Sequence, residues 1–197
     1  MKLNARELRE LEEKRAQGKI REIKRNPIYF ILENIYDTYN IGGLFRLADA
    51  LAIEKMYLCG DTEIPPNSRI KKASIGTYKI VPWGYKKNTK EAVSDFKDDS
   101  KKFLARLNLN DSNNESRKNF SSSSIIAVEQ HIEAVSYTNA DYSFPIALIF
   151  GNETYGILPE TLKLADQIVE IPMWGINKSL NVIVSAAIVS YWVINKL

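Results

Sequence analysis

Three short polar segments carry the side chains best suited to chemistry, and each follows an apolar run. The first is Glu33-Asn-Ile-Tyr-Asp-Thr-Tyr-Asn40-Ile-Gly-Gly-Leu-Phe-Arg46. It sets an amide, Asn40, and a guanidinium, Arg46, six residues apart, with Gly42 and Gly43 between them. The glycines permit close backbone approach. Six residues of helix exceed one and a half turns, which still allows Arg46 to face a cleft above the strand ends. A guanidinium there suits a phosphate or a ribose-bearing strand. The competing reading is a helix-capping Asn and a solvated Arg.

The second segment, Phe150-Gly151-Asn152-Glu153-Thr-Tyr-Gly156, ends an apolar strand in a turn bracketed by glycines. Such a turn offers exposed N–H groups and holds Glu153 at a strand end; it is also an ordinary way to leave a strand for a helix. The third, Glu170-Ile171-Pro-Met-Trp-Gly175-Ile-Asn177-Lys178-Ser179-Leu180-Asn181, leads into an apolar helix. Ser179 or Asn177 is the expected cap, and the helix N-terminus presents free N–H groups to a ligand.

Several other chemistries are disfavoured. The first strand is not followed by G-x-G-x-x-G, and neither a G-x-x-x-x-G-K-[ST] loop nor a G-x-S-x-G elbow occurs. One cysteine, Cys59, and one histidine, His131, leave no internal disulfide and argue against a Cys/His metal site or a histidine triad. No metal is expected. Cys59 ends an apolar run and reads as a buried thiol, in keeping with a reducing compartment.

The elements that must position these segments alternate. Strands are expected at Ile28–Glu33, Lys55–Cys59, Tyr78–Pro82, Ser124–Glu129, Pro145–Phe150 and Gln167–Ile171. Helices are expected at Ile41–Ala52, Thr89–Leu107, Pro159–Ala165 and Ser179–Lys196. The fold class is therefore α/β, with a mostly parallel sheet flanked by helices. In such sheets ligands gather beyond the C-terminal ends of the strands, where all three polar segments fall.

Charge is unevenly spread over the 197 residues, whose net charge is +3. Residues 1–27 hold nine basic and five acidic side chains, a net of +4, and the remainder sums to −1. This stretch is expected to be a basic helical extension, with Asn4 and Glu7 as a capping box and Gly18 as the stop. It is either a phosphate-binding footprint or a solvated mixed-charge helix. Residues 28–197 form the main domain. Within it, residues 111–124 contain six Ser and three Asn and read as a flexible insertion. The longest apolar stretch, Val182–Ile194, has thirteen residues, short of the roughly 20 a membrane span needs. The N-terminus is charged, with no secretory pattern, so a cytoplasmic protein is expected. An apolar helix of that kind must be buried, in the core or in a dimer interface.

Taken together, the three segments resemble the motifs of the SpoU (TrmH) RNA methyltransferases, a branch of the SPOUT superfamily. Asn40 through Ala50 resembles the first motif, Phe150-Gly-Asn-Glu153-x-x-Gly156 the second, and Ile171-Pro-Met-x-Gly175-x-x-x-Ser179-Leu-Asn181-Val the third. Lys72-Ala-Ser-x-Gly76 resembles a family segment between the first two. The chain departs from the commoner Asp-Pro-x-Asn at Thr38, from a small side chain at Gly43, and from a small or polar residue at Lys178.

The resemblance implies a C-terminal trefoil knot, a rare exception to unknotted topology, and a homodimer with the site near the subunit interface. It implies S-adenosyl-L-methionine (SAM) as methyl donor, held by Val128 or Glu129, Gly151, Ile171, Ser179 and Leu180. The reaction implied is transfer to a ribose 2′-hydroxyl of RNA. Arg46 matches the family's catalytic arginine, and Asn40, Glu153, Ser179 and Asn181 match its other polar positions. Arginine stays protonated in proteins, so positioning of ribose and phosphate suits Arg46 better than proton abstraction. Asn40 and Glu153 would organise the site, and Ser179 and Asn181 the final loop. The short extension favours tRNA over rRNA as substrate. A non-catalytic RNA-binding factor and an enzyme of small metabolites are the rival readings; intact polar motif positions count against the first, and the basic segment counts against the second.

Overall fold

The unbroken apolar runs become strands buried on both faces, as crossover-connected parallel strands require. A computed structural model describes residues 23–110, 120 and 122–197. Its elements are β1 (Asn26–Glu33), α1 (Thr38–Ala50), β2 (Ile53–Cys59), α2 (Ser68–Ser74), a 3-10 turn (Thr77–Lys79), β3 (Trp83–Lys86) and α3 (Thr89–Asn110). There follow β4 (Ser124–Val128), β5 (Val135–Ser136), β6 (Ile146–Phe150), α4 (Pro159–Leu162), β7 (Gln167–Glu170) and α5 (Val182–Ile194). The helix expected near residues 4–17 and most of the Ser/Asn-rich insertion lie outside the described residues.

The strands form one seven-stranded sheet in the order β3-β2-β1-β6-β4-β7-β5, and every neighbouring pair is parallel. Alternation along β1 sorts the core into two layers. Ile28, Phe30 and Leu32 join the side chains of α1 and α5, among them Phe45, Ala186 and Val189. Tyr29 and Ile31 face the opposite way, onto Ala92, Val93 and Phe96 of α3. Register aligns the strand ends that matter: Leu32 pairs with Phe150, Phe150 with Val128, and Val128 with Val169. The loops after β1, β4, β6 and β7 therefore leave the sheet side by side.

Three expected elements need correction, and one helix was not foreseen. Tyr78–Pro82 is not a strand. Its first residues form the 3-10 turn, and the ladder of β3 begins after Pro82, which lacks an N–H and contributes only its carbonyl, accepting from the Met56 N–H at 2.9 Å. Helix α5 begins at Val182 rather than Ser179, because Asn181 is the cap and accepts from the Ile183 N–H at 2.9 Å. Helix α4 stops at Leu162. Helix α2, which the apolar pattern did not announce, is capped by Asn67, whose side chain accepts from the N–H groups of Arg69 and Ile70.

The paired glycines of α1 serve helix packing. A Cβ on Gly42 would lie 2.4 Å from the Ala73 Cβ and 2.9 Å from the Ser74 backbone nitrogen, so α2 rests directly on α1. One on Gly43 would lie 2.4 Å from the Ile183 Cδ1 of α5. The Lys72-Ala-Ser-x-Gly76 segment is thus the partner surface of Gly42. Among the described residues no helix is long and apolar enough to cross a membrane.

Candidate active site

The turn after β6 is built by its own side chains. Asn152 and Gly156 bond to each other through both backbone groups, at 3.1 and 2.9 Å, and close a small loop. The Asn152 side chain is buried; its oxygen accepts from the N–H groups of Thr154 and Tyr155, and its Nδ2 donates to the Asn34 carbonyl at 2.7 Å. This Asx-type arrangement ties the β6 loop to the β1 loop. Gly156 has φ +69°, and a side chain there would meet the Glu129 carboxylate. That carboxylate, just past β4, accepts from the Ile157 N–H at 2.8 Å. A Cβ on Gly151 would lie 2.4 to 2.6 Å from backbone atoms of Gly156 and Ile157, so Gly151 admits no side chain.

Glu33 anchors the same region from below. It is buried at the end of β1 and accepts from the Thr89 hydroxyl at 2.6 Å, the Leu158 N–H at 2.8 Å and the Thr161 hydroxyl. Three donors compensate the burial of one carboxylate, and they pin the starts of α3 and α4 to the central strand.

The loop so fixed presents Glu153 to α1. Glu153 Oε1 accepts from Asn40 Nδ2 at 2.9 Å, and the carboxylate also faces the N–H groups of Tyr36 and Asp37 at 3.4 Å. Asn40 Oδ1 in turn accepts from Asn181 Nδ2 at 3.0 Å. The cap of α1 is Asp37, whose side chain accepts from the Tyr39 N–H at 2.7 Å, which leaves the Asn40 amide free for this chain. One polar residue from each of the three segments thus joins a directed relay, Asn181 to Asn40 to Glu153. These residues are 113 and 141 positions apart in sequence.

Two concavities meet over the relay. A cavity of about 340 Å³ is lined by Val128, Glu129, Gly151, Ile171, Ser179 and Leu180, with Glu153, Glu170 and Lys178 also on its wall. All six residues expected to hold the methyl donor therefore share one cavity. A second, of about 470 Å³, is lined by Tyr36, Asp37, Asn40, Glu153 and Asn181 and shares Ser179 and Leu180 with the first. Arg46 stands apart. It is exposed on α1 and lines neither cavity within the chain. Asn152 and Glu33 are the organising residues that motif reading passed over; the Asx turn within Gly151-Asn152-Glu153 was the available signal for Asn152.

The remaining candidates lie elsewhere or do other work. His131, in the loop after β4, accepts through Nδ1 from the Glu133 N–H at 3.2 Å. Cys59 is buried, and burial, reinforced by the nearby Glu33 carboxylate, pushes its thiol pKa up to about 12. Among the described residues no group of three or more His, Cys, Asp and Glu side chains is placed to hold a metal ion.

Residues 27–191 match the model of the SpoU rRNA Methylase family. The chain belongs to this family. A tRNA (guanosine(18)-2′-O)-methyltransferase of Thermus thermophilus is 27% identical over 169 residues, which cover 85% of this chain and 75% of that protein. The enzyme of the same description from Escherichia coli is 28% identical over 172 residues, or 85% of this chain and 63% of its own length. Among solved structures, an AdoMet-bound rRNA methyltransferase from Sinorhizobium meliloti aligns with a TM-score of 0.68 at 23% identity, covering 88% of this chain and 58% of that one. This SpoU chain thus spans three quarters of the Thermus relative and less than two thirds of the other two, and the last likeness is one of fold.

Proposed function

We propose that this SpoU-family chain transfers a methyl group from SAM to a ribose 2′-hydroxyl of RNA, with tRNA the favoured substrate. The observation that carries the reading is the relay Asn181–Asn40–Glu153 at the junction of the two cavities. The Thermus and Escherichia coli relatives, both named tRNA (guanosine(18)-2′-O)-methyltransferases, support the substrate.

The residues of the first cavity suit SAM. Gly151 leaves backbone exposed where a side chain has no room, and Glu129, Glu153 and Glu170 outnumber Lys178 on the wall, which favours a ligand bearing cationic centres. Val128, Glu129, Gly151, Ile171, Ser179 and Leu180 are the residues assigned to holding it. SAM supplies an electrophilic methyl group. Asn40, Glu153 and Asn181 hold the ribose in the second cavity, so that the 2′-oxygen is aligned before transfer. The hydroxyl proton passes to a neighbouring phosphate oxygen of the RNA, and Arg46 steadies ribose and phosphate rather than removing that proton. No metal takes part in this scheme.

Three further features belong to the proposal. The segment after β7 forms the C-terminal trefoil knot of the SPOUT fold. The chain works as a cytoplasmic homodimer, which would bring Arg46 to a site near the subunit interface. Support comes from the exposed apolar side chains of α5, Val184 and Tyr191, and from Trp174 and Ile176 just before it. The basic residues ahead of β1 act as an extension that contacts phosphates.

Purified protein, incubated with tritiated SAM and either total tRNA or total rRNA, tests the reading after nucleoside digestion. The expected product is a 2′-O-methylnucleoside in tRNA, lost in Arg46→Ala while SAM binding persists. Absence of both transfer and SAM binding overturns the proposal in favour of an RNA-binding scaffold.

A further inference from the structure

A third concavity, of about 320 Å³, adjoins the ribose site. Tyr36, Asp37, Tyr39, Glu63 and Arg69 are on its wall, and Tyr36 and Asp37 also line the cavity that holds Asn40 and Glu153. The two hollows therefore share the β1–α1 loop as a common wall. Tyr36 and Tyr39 are 52% and 54% exposed. Among the described residues neither ring packs against another aromatic ring, and neither hydroxyl makes a hydrogen bond; their backbone N–H groups face Glu153 and Asp37. Two solvated aromatic rings at the lip of a polar site have no evident part in folding. Their placement is restrained all the same, since Asp37 between them caps α1 and the Tyr36 N–H faces Glu153.

Resting on the proposed RNA methylation, we propose that Tyr36 and Tyr39 form a stacking platform for a nucleobase of the RNA strand next to the methylated ribose. Every base offers a π-face, and single-stranded RNA is commonly gripped by stacking on exposed aromatic side chains. The charges select the base over its phosphate for this hollow. Asp37 and Glu63 repel a phosphate from it, while their carboxylates can accept from amino groups on a base edge. Arg69, on the same wall, is the group left to meet the backbone of that nucleotide. Tyr39 also shares a face of α1 with Arg46. They are seven positions apart, close to two full turns.

The test measures methyl transfer to the RNA pool that the wild type modifies, for Tyr36→Ala, Tyr39→Ala, Tyr39→Phe and Arg69→Ala. SAM affinity and thermal midpoint are recorded for each. The platform requires KM for RNA to rise about tenfold or more in the alanine variants, the range that loss of one stacked base implies. It also requires unchanged SAM affinity, and near-wild-type KM in Tyr39→Phe, which keeps the ring. Arg69→Ala should lower the slope of log affinity against log salt by about one. An active wild type whose Tyr36→Ala and Tyr39→Ala variants keep the wild-type KM overturns the platform alone. A wild type that modifies no RNA overturns the functional reading and the platform with it.

Discussion

Asn181 does two jobs with one amide: its oxygen caps α5 and its nitrogen donates to Asn40. The two roles come apart under substitution. Asn181→Ala should lose about 1 kcal/mol of stability with the cap and lower the transfer rate roughly tenfold to a hundredfold through misplaced ribose contacts. Asn181→Asp keeps a capping oxygen but supplies no donor, so its melting temperature should stay near wild type while transfer falls as far; calorimetry beside the methylation assay checks both. At Cys59 the folded protein holds the thiol neutral, with its pKa raised from about 9 to about 12. The unfolded chain therefore loses this proton first, and stability should fall by up to about 1.4 kcal/mol per pH unit between those values, and not below them. Denaturant titrations of wild type and Cys59→Ala across that range isolate the effect. Motif spacing announced the residue types of the site, but not that Asn40, Glu153 and Asn181 bond directly, because such bonds depend on how loops leave neighbouring strands. It also gave no hint that Arg46 lies outside both cavities of its own chain.

Between elements, the glycine pair of α1 is the sensitive joint. Gly42→Ala would drive a methyl into backbone and Cβ atoms of α2, whereas Gly43→Ala meets the tip of the Ile183 side chain, which can turn away. The first should cost about 1–3 kcal/mol, as overpacking does, and the second clearly less; thermal melts of the two variants rank them. The major strands were legible because Ile28–Glu33 and Pro145–Phe150 are continuous apolar runs, the mark of strands covered on both faces. Strand β3 was not, because Val81 is buried before Pro82 without belonging to the ladder, and apolar burial alone does not distinguish the two. The two-residue β5, half-exposed at the sheet edge, leaves too little pattern to read.

For the whole molecule, α5 remains the open face. Its composition required burial on all sides, yet among the described residues Val182, Ala186, Val189, Ser190 and Val193 are buried, Ile183, Ala187, Trp192 and Ile194 are partly covered, and Val184 and Tyr191 are exposed. If a second copy covers the rest, Val184→Asp should shift the sedimentation coefficient from dimer to monomer and abolish transfer, while the far-ultraviolet circular dichroism is kept. The relay across the three motifs also has a consequence for the order in which the molecule becomes functional. During synthesis Asn40 is made first, Glu153 113 residues later and Asn181 later still, 141 residues after Asn40. Every strand of the sheet has been made by Glu170, so a nascent chain stalled there owns its scaffold and has no assembled site. The relay is complete only once Asn181 has been made, eleven residues beyond the last described strand.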